Sequence, residues 1–159
     1  MKVLFLDIDG VLNDSHFNPA AESSSLSGPA VTRLNQILRA TGAKLVLSSS
    51  WRYLILDRAM TLQGFEYLLR THGVDKGSLI GHTGPDDADE TQPGRAVQIR
   101  RWLQDHHDVS AWAALDDHLL ELGDDSWRQV KTDGQVGLTE ANAAAVIDIL
   151  GAGLKPKTG

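Results

Sequence analysis

Apolar residues in this chain follow two rhythms. Val3, Leu4, Phe5 and Leu6 run together without a polar break, and so do the apolar positions of "AKLVLSSS" and "AWAALDD". Continuous runs of this length predict strands buried on both faces, as in a parallel sheet. "SLIGHTG" is a shorter extended segment, and Trp127 to Val130 reads as an edge strand. Between these runs the apolar positions recur at helical spacing. Pro29 opens a helix to about Thr41, with Val31, Leu34, Ile37 and Leu38 on one face and Gly42 ending it. Residues 52–72 are helical in pattern with a break expected near Gly64. Arg95 to His107 is a further helix, with Val97, Ile99, Trp102 and Leu103 inward. "GLTEANAAAVIDIL" is the last, capped by Thr139 and stopped by Gly151.

Polar stretches punctuate these elements. Residues 14–28, "DSHFNPAAESSSLSG", predict a loop or small flap, and the acidic "PDDADETQPG" an exposed, mobile loop. Strands alternating with helices predict one parallel α/β domain over residues 1–151, with 152–159 a frayed tail.

Composition narrows the chemistry. The chain has 159 residues, no cysteine and a net charge of −6, which removes thiol chemistry and thiolate zinc sites and argues against a broadly basic nucleic-acid surface. No apolar stretch approaches the ~20 residues of a membrane span, and the short N-terminal run leads straight into acids rather than a signal-peptide cleavage site. The expected location is cytoplasmic.

In parallel sheets ligands gather at the carboxyl ends of the strands. Three such ends here carry Asp7 and Asp9, Ser48 to Ser50, and Asp116 and Asp117. Paired carboxylates repel and lose hydration unless a cation or proton offsets them, so a turn alone is a poor reason for them. A metal-assisted phosphoryl site is a better one. Asp7 would be a nucleophile, and Asp7 with Asp117 would ligate Mg²⁺, which prefers a few carboxylates. Asp9 would serve as acid and base. Backbone N–H groups from Ile8 to Gly10, with the Ser48 hydroxyl, would hold phosphate oxygens.

These segments resemble a known group. "FLDIDGVLN" looks like the first motif of the haloacid-dehalogenase-like (HAD) phosphohydrolase superfamily, "KLVLSSSWR" its second and "AALDD" its fourth. "SSSWR" and "GLTEANA" are similar to a small capless HAD group associated with RNA-repair enzymes. The resemblance implies a HAD-like Rossmannoid three-layer α/β/α sandwich with a mainly parallel central sheet and no cap domain. It implies Asp7 as nucleophile and metal ligand, Asp9 as acid/base with its carbonyl also on the metal, and Ser48 with Ser49 on the phosphate. Asp117, supported by Asp116, would complete the metal site. The superfamily's third motif usually supplies Lys, whereas the only cation at that place here is Arg95 in "QPGRAVQIRRWL". Arg can supply charge and a forked donor, with Arg52 the reserve.

Around the motifs, Arg52 is expected at the rim, clamping a second phosphate or stacking on a base, while Trp51 is expected in the core. Asn13 would orient Asp9, touch substrate or simply stabilise the loop. His82 and Thr83 are expected in an exposed loop, with the wall of the pocket as the alternative. No Walker A loop, G-x-G-x-x-G or G-x-S-x-G elbow is present. The function expected is a Mg²⁺-dependent phosphatase acting through an aspartyl-phosphate, with a nucleic-acid terminal phosphate the leading substrate. A small-molecule phosphatase such as a nucleotidase, and a non-catalytic HAD-like binding module, are the alternatives.

Overall fold

A computed structural model describes residues 1–13, 26–84 and 94–152. Among the described residues five strands form one sheet: β1 (Lys2–Leu6), β2 (Lys44–Leu47), β3 (Leu79–His82), β4 (Ala111–Asp116) and β5 (Gln129–Lys131). All pairings are parallel, in the spatial order β3-β2-β1-β4-β5. The strands alternate their apolar side chains between two covered faces, which is why their sequences carry no polar alternation. Leu4, Leu6, Leu45, Leu47, Ala113 and Leu115 face one core; Val3, Phe5, Val46, Trp112 and Ala114 face the other.

The first core is closed by helices α1 (Gly28–Thr41), α3 (Leu62–Thr71) and α5 (Glu140–Ala152), the second by α4 (Gly94–Gln104). Handedness explains this division. The chain steps outward from β1 to β2 to β3, then reverses across β1 to β4. Right-handed crossovers therefore place α4 on the opposite face from α1 and α3. The reversal puts a switch point between the carboxyl ends of β1 and β4, where an α/β sheet opens a crevice. The result is the three-layer α/β/α arrangement expected of a HAD-like fold.

Local signals set the element ends. The Ser27 hydroxyl caps α1 by accepting from Ala30 N, and Pro29 sits in its first turn. Thr139 and Asn142 cap α5 reciprocally: Thr139 Oγ accepts from Asn142 N, and Asn142 Oδ1 from Thr139 N.

Three expectations are corrected. The 52–72 region does not break near Gly64; it is a 3₁₀ turn (Ser50–Arg52), a short α2 (Tyr53–Leu56) and α3, divided at residues 57–61. Arg58 has φ 60 there, and the Thr61 hydroxyl starts a new helix by accepting from Gly64 N, so Gly64 belongs to its first turn. Gly151 does not stop α5, which runs through it to Ala152; glycine weakens a helix without ending it. Thr83 is fully buried, donating from its hydroxyl to Leu47 O, rather than sitting in an exposed loop. The expected flap at 14–28 lies outside the described residues up to 25. So do the acidic loop at 85–93 and the tail at 153–159.

Candidate active site

The site lies at the carboxyl ends of β1, β2 and β4. Asp7 follows β1 and is tied to β4 by its N–H, which donates to Leu115 O at 3.0 Å. Its carboxyl is buried, with Oδ2 3.2 Å from Arg95 Nη1 and Oδ1 accepting from Ile8 N at 2.9 Å. Arg95, in the first turn of α4, also donates to Asp116 Oδ2 at 2.6 Å. One guanidinium therefore bridges acids from two strand tips. At the place where the third motif is expected, a guanidinium points into the acid cluster.

Asp7, Asp116 and Asp117 present carboxylate oxygens that all lie within 4.8 Å of one another. Burial, and after it the Asp116 carboxylate, push the Asp7 carboxyl up to about 8 against the pull of Arg95. Burial raises Asp116 as well, with Arg95 opposing. Burial works against the Arg95 charge, yet Asp7 and Asp116 hold its pKa above the ordinary arginine value. With all three acids ionised, one guanidinium would leave two negative charges uncompensated, which is why burial drives Asp7 towards its protonated form in the absence of a further cation. A divalent cation with a preference for hard oxygen ligands fits that balance and that donor set.

Asp116 has both oxygens engaged, Oδ2 with Arg95 and Oδ1 accepting from His118 N at 2.9 Å. Asp117 instead lies against two glycines. Gly10 has φ +79, and a Cβ there would overlap the Asp117 carboxylate. A Cβ on Gly134 would come within 2.9 Å of Asp117 Oδ2. Only glycine lets both loops close on this acid. Thr132 Oγ donates to Gly10 O at 2.7 Å, and Leu138 N to Val11 O at 2.7 Å, so the loop after β5 braces the loop after β1.

Asp9 stands on the turn beyond Asp7, half-buried. Its Oδ1 accepts from Asn13 Nδ2 at 3.2 Å and its Oδ2 from Trp51 Nε1 at 3.1 Å. Asn13 also accepts from Gly10 N at 3.2 Å, so it stabilises the loop and orients Asp9 at once. Ser48 follows β2; its Oγ is buried and has no hydrogen-bond partner among the described residues. A buried hydroxyl without a partner costs stability unless something else bonds it, and a phosphate oxygen is such a partner. Ser49 is equally buried, but its Oγ accepts from Trp51 N and starts the 3₁₀ turn.

Residues 3–143 match the family model described as the HAD domain in Swiss Army Knife RNA repair proteins. The chain belongs to that family. No curated protein and no solved structure matches it. Family membership makes this HAD domain a phosphatase-type hydrolase with a phosphorylated substrate, of a kind that generally uses a divalent metal.

The HAD domain departs from sequence expectation at three places. Arg52 is not at the rim: it is 2% exposed, and its Nη1 and Nε donate to Ser49 O and Gly84 O. Its guanidinium supports the strand-end loops and is not presented to a second phosphate. Trp51 is half-buried against the core, as expected in part, but its indole N–H reaches Asp9. That bond spans 42 residues, and no local pattern announces it. Among the backbone donors expected to cradle phosphate, Ile8 N and Gly10 N already bond Asp7 and Asn13. Gly134 was also missed; its Asp-Gly turn is visible in sequence, its packing on Asp117 is not.

Proposed function

We propose that this HAD domain is a Mg²⁺-dependent phosphomonoesterase acting through an aspartyl-phosphate on Asp7, with a nucleic-acid terminal phosphate as substrate. The observation that carries the reading is the cluster of Asp7, Asp116 and Asp117, the first two bridged by Arg95, with the unpartnered Ser48 hydroxyl on the next strand tip. Asp7 and Asp117 would hold Mg²⁺, the Asp9 carbonyl contributing, and Asp116 would support them. The ion's chemistry is charge neutralisation between acids and phosphate.

The remaining steps belong to the chain. An Asp7 oxygen attacks phosphorus, the ester P–O bond breaks, and Asp9 gives its proton to the leaving oxygen. A water then attacks the phosphoryl group, Asp9 takes its proton, and the bond to Asp7 breaks to release inorganic phosphate. Ser48 Oγ donates to a phosphate oxygen without adding charge, and Arg95 stabilises the equatorial oxygens. For the phosphate to use Ile8 N–H, the Asp7 carboxylate must release it.

The RNA-repair description of the family favours a nucleic-acid end over a metabolite, and the described residues hold no separate lobe over Asp7. The test is phosphate release from a 3′-phosphorylated oligonucleotide and from the matching mononucleotide, with Mg²⁺ and after chelation. Mg²⁺-dependent turnover that favours the oligonucleotide is expected. Full activity after exhaustive chelation refutes the metal's role, and preference for the mononucleotide moves the substrate to small molecules.

A further inference from the structure

Next to Asp9, outside the acid cluster, a cavity of about 290 Å³ is lined by Asp9, Trp51, Tyr53, Leu54, Asp57 and Ala59. None of the phosphate or metal chemistry above uses it. Its size is at the lower end for small-molecule sites, ~300 Å³, so it suits one flat ring system with part of a sugar. Its walls suit the same group. Trp51 and Tyr53 are aromatic, Leu54 is apolar, and the Arg52 guanidinium, 4.8 Å from the Tyr53 ring centroid, backs that ring. Asp9 and Asp57 accept hydrogen bonds but repel a second phosphate. Ala59 is exposed and uncharged, which leaves an outlet on its side for a strand continuing from the bound group.

Position assigns the role. In the proposed reaction the leaving oxygen departs beside Asp9, and the group attached to that oxygen must occupy the space adjoining it. We infer that this cavity is the leaving-group subsite and that it takes the neutral base and sugar of a terminal nucleoside. The inference rests on the phosphomonoesterase reading for its orientation. Trp51 lies in both parts, lining the cavity and donating to Asp9, so it is a positioning residue as well as a wall. Stacking on such aromatic side chains is worth about 10-fold or more in affinity per base and tolerates any base.

Two measurements test this separately. In the first, adenosine, cytidine and ribose are titrated into the protein while the Trp51 indole N–H resonance, assigned with Trp51→Phe, is followed by NMR. Both nucleosides should shift it and saturate at millimolar concentration. Ribose should not, and Ala59→Trp, which fills the cavity from an exposed position, should abolish the response. No shift with either nucleoside overturns the subsite. In the second, kcat/KM is compared for 3′- and 5′-phosphorylated dinucleotides and their counterparts abasic at the phosphorylated position. The base should raise kcat/KM about 10-fold on whichever end is the substrate, and Ala59→Trp should bring that ratio close to one. Equal turnover of base-bearing and abasic substrates overturns the subsite and leaves the phosphatase intact. Nucleoside binding without phosphate release from any substrate overturns the phosphatase reading, and the leaving-group role with it, and leaves only a nucleoside pocket.

Discussion

Asp7 meets two opposed demands, since attack on phosphorus needs it ionised while its surroundings favour the proton. Its carboxyl titrates near 8 instead of the ordinary 3.8, first because it is buried and second because of Asp116. In the metal-free protein the folded value thus lies above the unfolded one. The stability this contributes is fully present below about pH 4 and is lost as pH rises through about 8. Asp7→Asn removes that dependence. In chelator, the variant should exceed the parent in urea-unfolding stability at pH 8.5 by at least about 1 kcal/mol, and the gap should shrink steadily as pH falls and close only near pH 4. The same variant should lose activity by several orders of magnitude, about 10³-fold or more, because the nucleophile and a metal ligand go together. Substantial retained turnover would sink the aspartyl-phosphate. Trp51→Phe gives a finer reading at the same scale. It keeps an aromatic wall but removes the donor 3.1 Å from Asp9 Oδ2, while the Asn13 amide still donates to Asp9 Oδ1. We expect kcat to fall about 10-fold with KM little moved and the pH profile displaced. A rise in KM alone would show that Trp51 is only a wall.

Elements were legible where one physical demand dominates. Burial on both faces wrote β1, β2 and β4 as unbroken apolar runs, and the acids or serines that end them marked the crevice. Arg95 was legible as the one cation where the third motif should be, although only the structure shows it bridging Asp7 and Asp116. What the sequence hid depends on distant contacts: Trp51 on Asp9, Gly134 against Asp117, and the burial of Arg52 under Ser49 O and Gly84 O. The helix break was misplaced because Gly64 is a strong local signal, whereas the real break uses Arg58 in a left-handed conformation, φ 60. A side chain there is strained, and glycine is not. Arg58→Gly should therefore stabilise the protein by about 0.5 kcal/mol, after the extra freedom of glycine in the unfolded chain is subtracted. A loss of more than that in thermal unfolding would show that the Arg58 side chain carries a contact outweighing the strain.

At the scale of the whole molecule, a negative protein is asked to act on a negative substrate. The net charge is −6, and the two arginines that the sequence offered as anchors are both committed internally. Arg52 bonds backbone carbonyls, and Arg95 lies between carboxylates. Neither is placed to neutralise phosphates along a strand. Affinity for a nucleic-acid end should then come from the terminal phosphate and the nucleoside carrying it, with few counterions released from the rest of the strand. For single strands the salt slope is about −0.7 per phosphate neutralised. With one such phosphate, raising monovalent salt fivefold should lower kcat/KM for a phosphorylated oligonucleotide only about threefold. Lengthening the strand beyond two or three nucleotides should add little. The measurement is kcat/KM against salt for oligonucleotides of two, four and eight residues at fixed Mg²⁺. A steep slope that grows with length would reveal a basic track across the surface, and would overturn the view that this site reads only the end of its substrate.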